Sequence, residues 1–137
     1  MIFLPDDTAT DAFGAEFARR LKPGDIVVLD GPLGAGKTAL ARAVIRTLTG
    51  NPGLEVPSPT FAIVQPYAGP GFPLLHADLY RLGAPGEIDE LGLYDDPRAI
   101  LLVEWAERAP ELITRATHHL RLDLPESGPG RLIETLR

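Results

Sequence analysis

The period of the apolar positions changes several times along this chain, and each change marks an element. Ile2-Phe3-Leu4 is a short apolar run stopped by Pro5, which predicts a brief strand at a sheet edge. Asp6, Asp7 and Thr8 follow as helix N-cap candidates. Ala9, Ala12, Phe13, Phe17 and Leu21 then recur at helical spacing and predict an amphipathic helix to about Arg20. Lys22-Pro23-Gly24-Asp25 breaks it as a turn. Ile26 to Leu29 is apolar without a gap, the pattern of a strand covered on both faces in a parallel sheet. Ala39 to Leu48 returns to a helical pattern that stops at Gly50-Asn51-Pro52-Gly53.

Phe61 to Tyr67 and Leu74 to Asp78 predict the two strands of a hairpin, joined by a Gly-Pro-Gly-Phe-Pro turn at 69 to 73. Glu87 to Leu93 predicts a short acidic helix. Ile100 to Val103 is a second fully apolar run, and it ends at Glu104. After a polar helical piece, His119 to Leu124 alternates cleanly and Leu132 to Leu136 more loosely. With Pro125 to Gly130 between them, they predict an antiparallel hairpin. Strands alternating with helices, without repeat, linker or low-complexity segment, predict one α/β domain over 1–137. The expected architecture is a central, mostly parallel sheet flanked by helices, with the C-terminal antiparallel hairpin added at one edge.

Composition narrows the function classes. A chain of 137 residues can bury one proper core. It has no cysteine, which excludes a disulfide framework and a thiolate metal site. No apolar run approaches the roughly 18 residues of a membrane span, and the N-terminus lacks the basic region of a signal peptide. A cytoplasmic location away from membranes is expected. The net charge of −6, with two lysines among thirteen basic residues, argues against a broad grip on a nucleic-acid backbone. Nucleic acid, if involved at all, is then expected to be met through a partner rather than gripped directly.

Gly31-Pro32-Leu33-Gly34-Ala35-Gly36-Lys37-Thr38 matches G-x-x-x-x-G-K-[ST] at every fixed position, after an apolar strand and before a helix. Glycines let the backbone curl so that successive N–H groups face phosphate oxygens, and the helix adds its N-terminal partial charge. Gly31, Gly34, Ala35, Gly36, Lys37, Thr38 and Ala39 are therefore the expected nucleotide contacts. Lys37 would reach the β- and γ-phosphates, and the Thr38 hydroxyl would ligate Mg²⁺. The fold expected around such a loop is P-loop NTPase-like.

That loop needs a distant carboxylate at a neighbouring strand end, and Glu104 stands in that place. Trp105 beside it, taken alone, is a packing residue. Ser58-Pro59-Thr60-Phe61 lies where a switch threonine often closes over phosphate and magnesium, although on this stretch alone an ordinary loop leading into a strand is the better reading. Asp78 can order a water, act as a base, or hold magnesium through water. His76 shares a face with Asp78 if the segment is extended, but a zinc pair there lacks an evident third ligand. Asp89-Glu90-Leu91-Gly92 imitates the D-x-x-G switch of GTPases without following a buried strand, and no N-K-x-D element specifies guanine. The acidic stretch Glu87 to Asp96 reads as a solvated face or as a segment over the nucleotide.

Together these residues resemble the TsaE family, bacterial P-loop ATPases required for threonylcarbamoyl modification of tRNA adenosine. The resemblance runs through Asp7 to Ala18, Gly31 to Thr38, Ser58-Pro59-Thr60-Phe61, His76-x-Asp78-Leu79-Tyr80-Arg81, Glu87 to Leu93, and Val103-Glu104-Trp105. It implies ATP and Mg²⁺ as cofactors, slow hydrolysis, and TsaB and TsaD as partners, with tRNA met indirectly through that complex. By position, Lys37 would contact phosphate, while Thr38 and Glu104 would hold magnesium. Thr60 and Asp78 would be switch and catalytic-site residues beside the catalytic Lys37 and Glu104, and Trp105 would border the site. Thr10 resembles the family's nucleoside contact, with Arg131 a candidate for the same end of the ligand. Asp78 and Glu104 both remain open as the group that orients the attacking water. A small-molecule kinase of the same fold class and a nucleotide-gated binding module are the rival readings.

Overall fold

The two continuous apolar runs become neighbouring strands near the middle of one seven-stranded sheet. The strands are β1 (Ile2–Leu4), β2 (Ile26–Asp30), β3 (Val64–Ala68), β4 (Pro73–Asp78), β5 (Ile100–Glu104), β6 (His118–Asp123) and β7 (Arg131–Thr135). They hydrogen-bond in the order β1-β7-β6-β2-β5-β4-β3. In this computed structural model, which describes residues 1–60, 63–83 and 85–137, β2 runs parallel to both β5 and β6, and β4 runs parallel to β5. The three outer pairings, β1–β7, β7–β6 and β3–β4, are antiparallel.

The sheet is thus mixed, which corrects the expectation of a mostly parallel one. The physical reason lies in the connections. A parallel pair needs a long crossover, whereas the short turns before β4 and between β6 and β7 permit antiparallel pairing alone. The terminal hairpin is not an addition at one edge either. β6 lies directly against β2, because Leu120 and Leu122 are fully buried and an edge strand would leave them wet. β7 follows, and β1 closes that side.

Among the described residues three α-helices cover the sheet: α1 (Asp7–Ala18), α2 (Lys37–Thr49) and α3 (Pro110–Arg115). Asp6 caps α1 by accepting the Ala9 N–H at 2.9 Å. α2 starts two residues earlier than its apolar pattern suggests, since Lys37 and Thr38 already form its first turn. It stops at Gly50, which takes the left-handed conformation at φ 68°. The acidic helix expected over Glu87 to Leu93 is a 3₁₀ helix over Pro85–Leu91. Gly92 ends it in the left-handed region at φ 73°, too soon for a stable α-helix to establish itself. The strand expected from Phe61 begins at Val64, and Phe61 and Ala62 lie outside the described residues.

Alternation along β2 and β5 sorts the core onto two faces. Val27, Leu29, Ile100 and Leu102 join Leu120 and Leu122 under α1 and α2. Val28, Leu101 and Val103 join Ile88, Leu93 and Leu112 on the opposite face. Both faces are covered, which is why these strands carry unbroken apolar runs. Among the described residues no helix is long and apolar enough to cross a membrane.

Candidate functional site

Register brings the chemistry to the C-terminal ends of three adjacent parallel strands. Leu29 of β2 pairs with Glu104 of β5, and Glu104 pairs with Asp78 of β4. Both carboxylates therefore stand in the row from which the chain leaves β2 for the glycine-rich loop. Both are buried, Asp78 at 5% and Glu104 at 3% exposure. Charged groups persist at such depth only when bonded or paired.

The loop takes its shape from glycines in the left-handed half of conformational space: φ is 142° at Gly31, 82° at Gly34 and 100° at Gly36. What packs against them matters as much. A Cβ at Gly31 would overlap the Leu122 carbonyl, and one at Gly36 would run into the Arg131 guanidinium. The Asp30 side chain accepts the Gly31 N–H at 2.8 Å, which pins the loop's start to the end of β2. Ala35 is fully buried, and its N–H donates to the Pro32 carbonyl at 3.2 Å, inside the turn.

Lys37 folds back over this turn. Its ammonium donates to the Gly31 carbonyl at 2.6 Å and lies 3.7 Å from the centre of the Trp105 ring. Burial pushes the Lys37 pKa below the ordinary lysine value, and the attraction of Glu104, Glu107, Asp78 and Asp30 offsets that only in part. Trp105 itself has φ 60°, ψ 41°, a rare conformation for a side chain of its size. Its indole meets Tyr80 edge-on, with ring centres 4.9 Å apart.

Thr38 points to the strand ends. Its hydroxyl lies 3.0 and 2.9 Å from the two Glu104 oxygens, and His76 Nε2 lies 2.7 Å from Glu104 Oε2. Asp78 is held by the Tyr80 N–H at 3.0 Å and by the Thr60 hydroxyl at 3.3 Å. Thr60 in turn shares a hydrogen bond of 2.6 Å with Ser58. A cleft of about 240 Å³ opens between the two sides. Gly34, Gly36, Lys37, Thr38 and Ala39 form one wall, and Thr60, Asp78, Glu104 and Trp105 form the other.

A second cleft, of about 470 Å³, lies across Gly34 beside Asp7, Leu124 and Arg131. Here the Arg131 guanidinium donates to the Asp7 carboxylate at 3.1 Å and to the Thr10 hydroxyl at 2.7 Å. Thr10 and Arg131, far apart in the chain, are thus brought together next to the loop.

Thr38 and Glu104 offer hard oxygen donors within 3.0 Å of each other, the donor chemistry that suits Mg²⁺. Among the described residues no group of three or more His, Cys, Asp or Glu side chains is arranged to hold an ion. A magnesium ion beside a phosphate chain needs fewer protein ligands, because water and phosphate oxygens complete its shell.

Some of this was not readable from the sequence. The Arg121 guanidinium lies 3.4 Å from Asp30 at the loop's base, and Asp7 pairs with Arg131. The bond from His76 to Glu104 depends on which strand lies beside β4. The faint signal for it was the alternation that puts His76 and Asp78 on one face.

The family model described as "Threonylcarbamoyl adenosine biosynthesis protein TsaE" matches residues 4–132. The tRNA threonylcarbamoyladenosine biosynthesis protein TsaE of Rickettsia typhi is 41% identical over 112 residues, covering 81% of this chain and 77% of that protein. The protein of the same name from Synechocystis sp. is 45% identical over 118 residues, covering 80% and 72%. A solved structure, the crystal structure of Bacillus subtilus YdiB, matches with a TM-score of 0.71 at 25% identity, over 98% of this chain and 82% of that one.

Proposed function

The chain belongs to the TsaE family of tRNA threonylcarbamoyladenosine biosynthesis, and from that premise we propose that it is a Mg²⁺-dependent ATPase of the P-loop NTPase class, a single domain over 1–137. It acts in the cytoplasm on TsaB and TsaD and meets tRNA through them. The observation that carries this reading is the convergence of Lys37, Thr38, Asp78 and Glu104 on one cleft beside the glycine-rich loop.

The triphosphate lies in the smaller cleft. The N–H groups of Lys37, Thr38 and Ala39, at the start of α2, have no acceptor within the helix and turn to the phosphate oxygens. Lys37 exchanges the Gly31 carbonyl for phosphate oxygen, and the indole beneath it keeps water from weakening that attraction. Thr38 and Glu104 hold Mg²⁺, which when bound neutralises charge on the phosphoryl oxygens. Glu104 is committed to Thr38 and His76, which leaves Asp78 as the group that orients the attacking water. Tyr80 and Thr60 hold Asp78 in one orientation for that task. Thr10, Asp7 and Arg131 take the nucleoside end, reached past Gly34.

Phosphate release from ATP, measured with the protein alone and then with TsaB, TsaD and tRNA, tests the proposal. Slow release that rises in the assembly is expected. ADP formed without free phosphate, independent of the partners and only when a small-molecule acceptor is supplied to take the phosphoryl group, would mark a kinase instead.

A further inference from the structure

Five polar or charged side chains are buried among the described residues, and four of them, Thr10, Lys37, Asp78 and Glu104, have parts in the reading above. The fifth, His76, is fully buried on β4. Its Nε2 meets Glu104 Oε2 at 2.7 Å, and its Nδ1 has no partner among the described residues. A buried ring nitrogen without a partner costs free energy, and an aliphatic side chain would fill the position without that cost. The imidazole therefore has a use that packing does not explain.

Strand geometry shows what the use is. His76 lies opposite Leu102, and Asp78 lies opposite Glu104. The ring reaches diagonally across the parallel pair to the carboxylate two residues farther along β5. A carboxylate that ligates a metal only accepts hydrogen bonds, so with Glu104 in that role Nε2 is the donor. Glu104 Oε2 then lies between the His76 ring, from inside the sheet, and the Thr38 hydroxyl at 2.9 Å, from the loop. Without the ring, the carboxylate could rotate away from Thr38.

We propose that His76 is a positioning residue, which holds the Glu104 carboxylate facing Thr38 so that the Mg²⁺ site is formed before the ion arrives. This rests on the ATP·Mg²⁺ reading above. Partners that orient a metal ligand commonly contribute ten- to hundredfold in metal affinity.

Two amides of different reach test it. The Gln side-chain nitrogen extends about as far as Nε2, and the Asn nitrogen stops near Nδ1. Full-length wild type, H76Q and H76N are titrated with Mg²⁺ at fixed ATP, with the fluorescence of Trp105, the single tryptophan, as readout. ATP binding in EDTA and melting temperature are measured alongside. H76N should raise the half-saturating Mg²⁺ concentration roughly tenfold or more, with EDTA-state binding unchanged and turnover recovered at high Mg²⁺. H76Q should stay close to wild type. Equal shifts in the two variants, or no shift in either, would overturn the proposal. If H76N does not fold, H76L, which leaves no polar atom at the position, should show the same rise, and its absence overturns the proposal equally. A wild type with no Mg²⁺-dependent response would instead overturn the ATP·Mg²⁺ reading itself.

Discussion

Lys37 sits under two opposed demands. The proposed phosphate contact calls for an ammonium, while desolvation by burial disfavours one and lowers its pKa. Below the lowered pKa, the cost of burying the charge is fully present. As pH rises through that value toward 10.5, the folded protein releases its proton before the unfolded chain does, so the fold gains stability. Under the proposed function, ATP binding should change the other way over the same window, since a neutral amine attracts phosphate weakly. Melting temperature should therefore rise relative to Lys37→Met as pH climbs toward 10.5, while ATP affinity of the wild type falls. Tyr67 and Tyr94, pushed up by burial, also titrate at alkaline pH, but they are common to both proteins and cancel in the difference. A melting-temperature difference that stays flat or moves the other way contradicts this account of Lys37. The loop lysine was legible in the sequence. Its cation–π contact was not, because that contact depends on Trp105 turning through a left-handed backbone that nothing in Glu104-Trp105-Ala106 announces; nor was its lowered pKa, which follows from burial in the folded chain.

At the scale of elements, the loop is the most legible part of the chain, because each constraint on it is local. Gly31 adds one that is not: its missing side chain makes room for the Leu122 carbonyl on β6. Gly31→Ala should lower stability by about 2–3 kcal/mol through positive φ and the clash with fixed backbone. Gly36→Ala should cost less, because the atoms it meets belong to the movable Arg131 side chain. Urea denaturation of the two variants measures the order, and equal costs would mean that β6 does not brace the loop. Helices with caps and periodic faces were likewise readable to within about two residues. The acidic segment was legible as a short helix two residues later than it lies, and its 3₁₀ type was not, since hydrophobic spacing over so short a stretch does not separate 3₁₀ from α.

At the scale of the whole molecule, sequence pattern identified the strands but not their neighbours. Two fully apolar runs imply central strands, and β2 and β5 are adjacent and parallel. An alternating strand such as His118–Asp123 fits an edge just as well, and its place beside β2 emerges only once Leu120 and Leu122 pack under α1 and α2. Glu104 was legible as a carboxylate at a neighbouring strand end, whereas the register that sets Asp78 opposite Glu104, and Glu104 opposite Leu29, was not. The interior place of β6 predicts that Leu122→Ala costs about 2–5 kcal/mol in chemical denaturation. Ile2→Ala, on half-exposed edge strand β1, should cost well under half as much. Similar losses would contradict this strand order.

The central claim is that the loop over Gly31 to Thr38 holds ATP. Calorimetric titration of ATP with Mg²⁺ into wild type and Lys37→Ala tests it most directly. Saturable binding by the wild type that weakens at least about tenfold in a folded Lys37→Ala variant is predicted, in line with the usual value of a charge-assisted contact. Equal affinity in the two proteins, or no binding by the wild type, would contradict it.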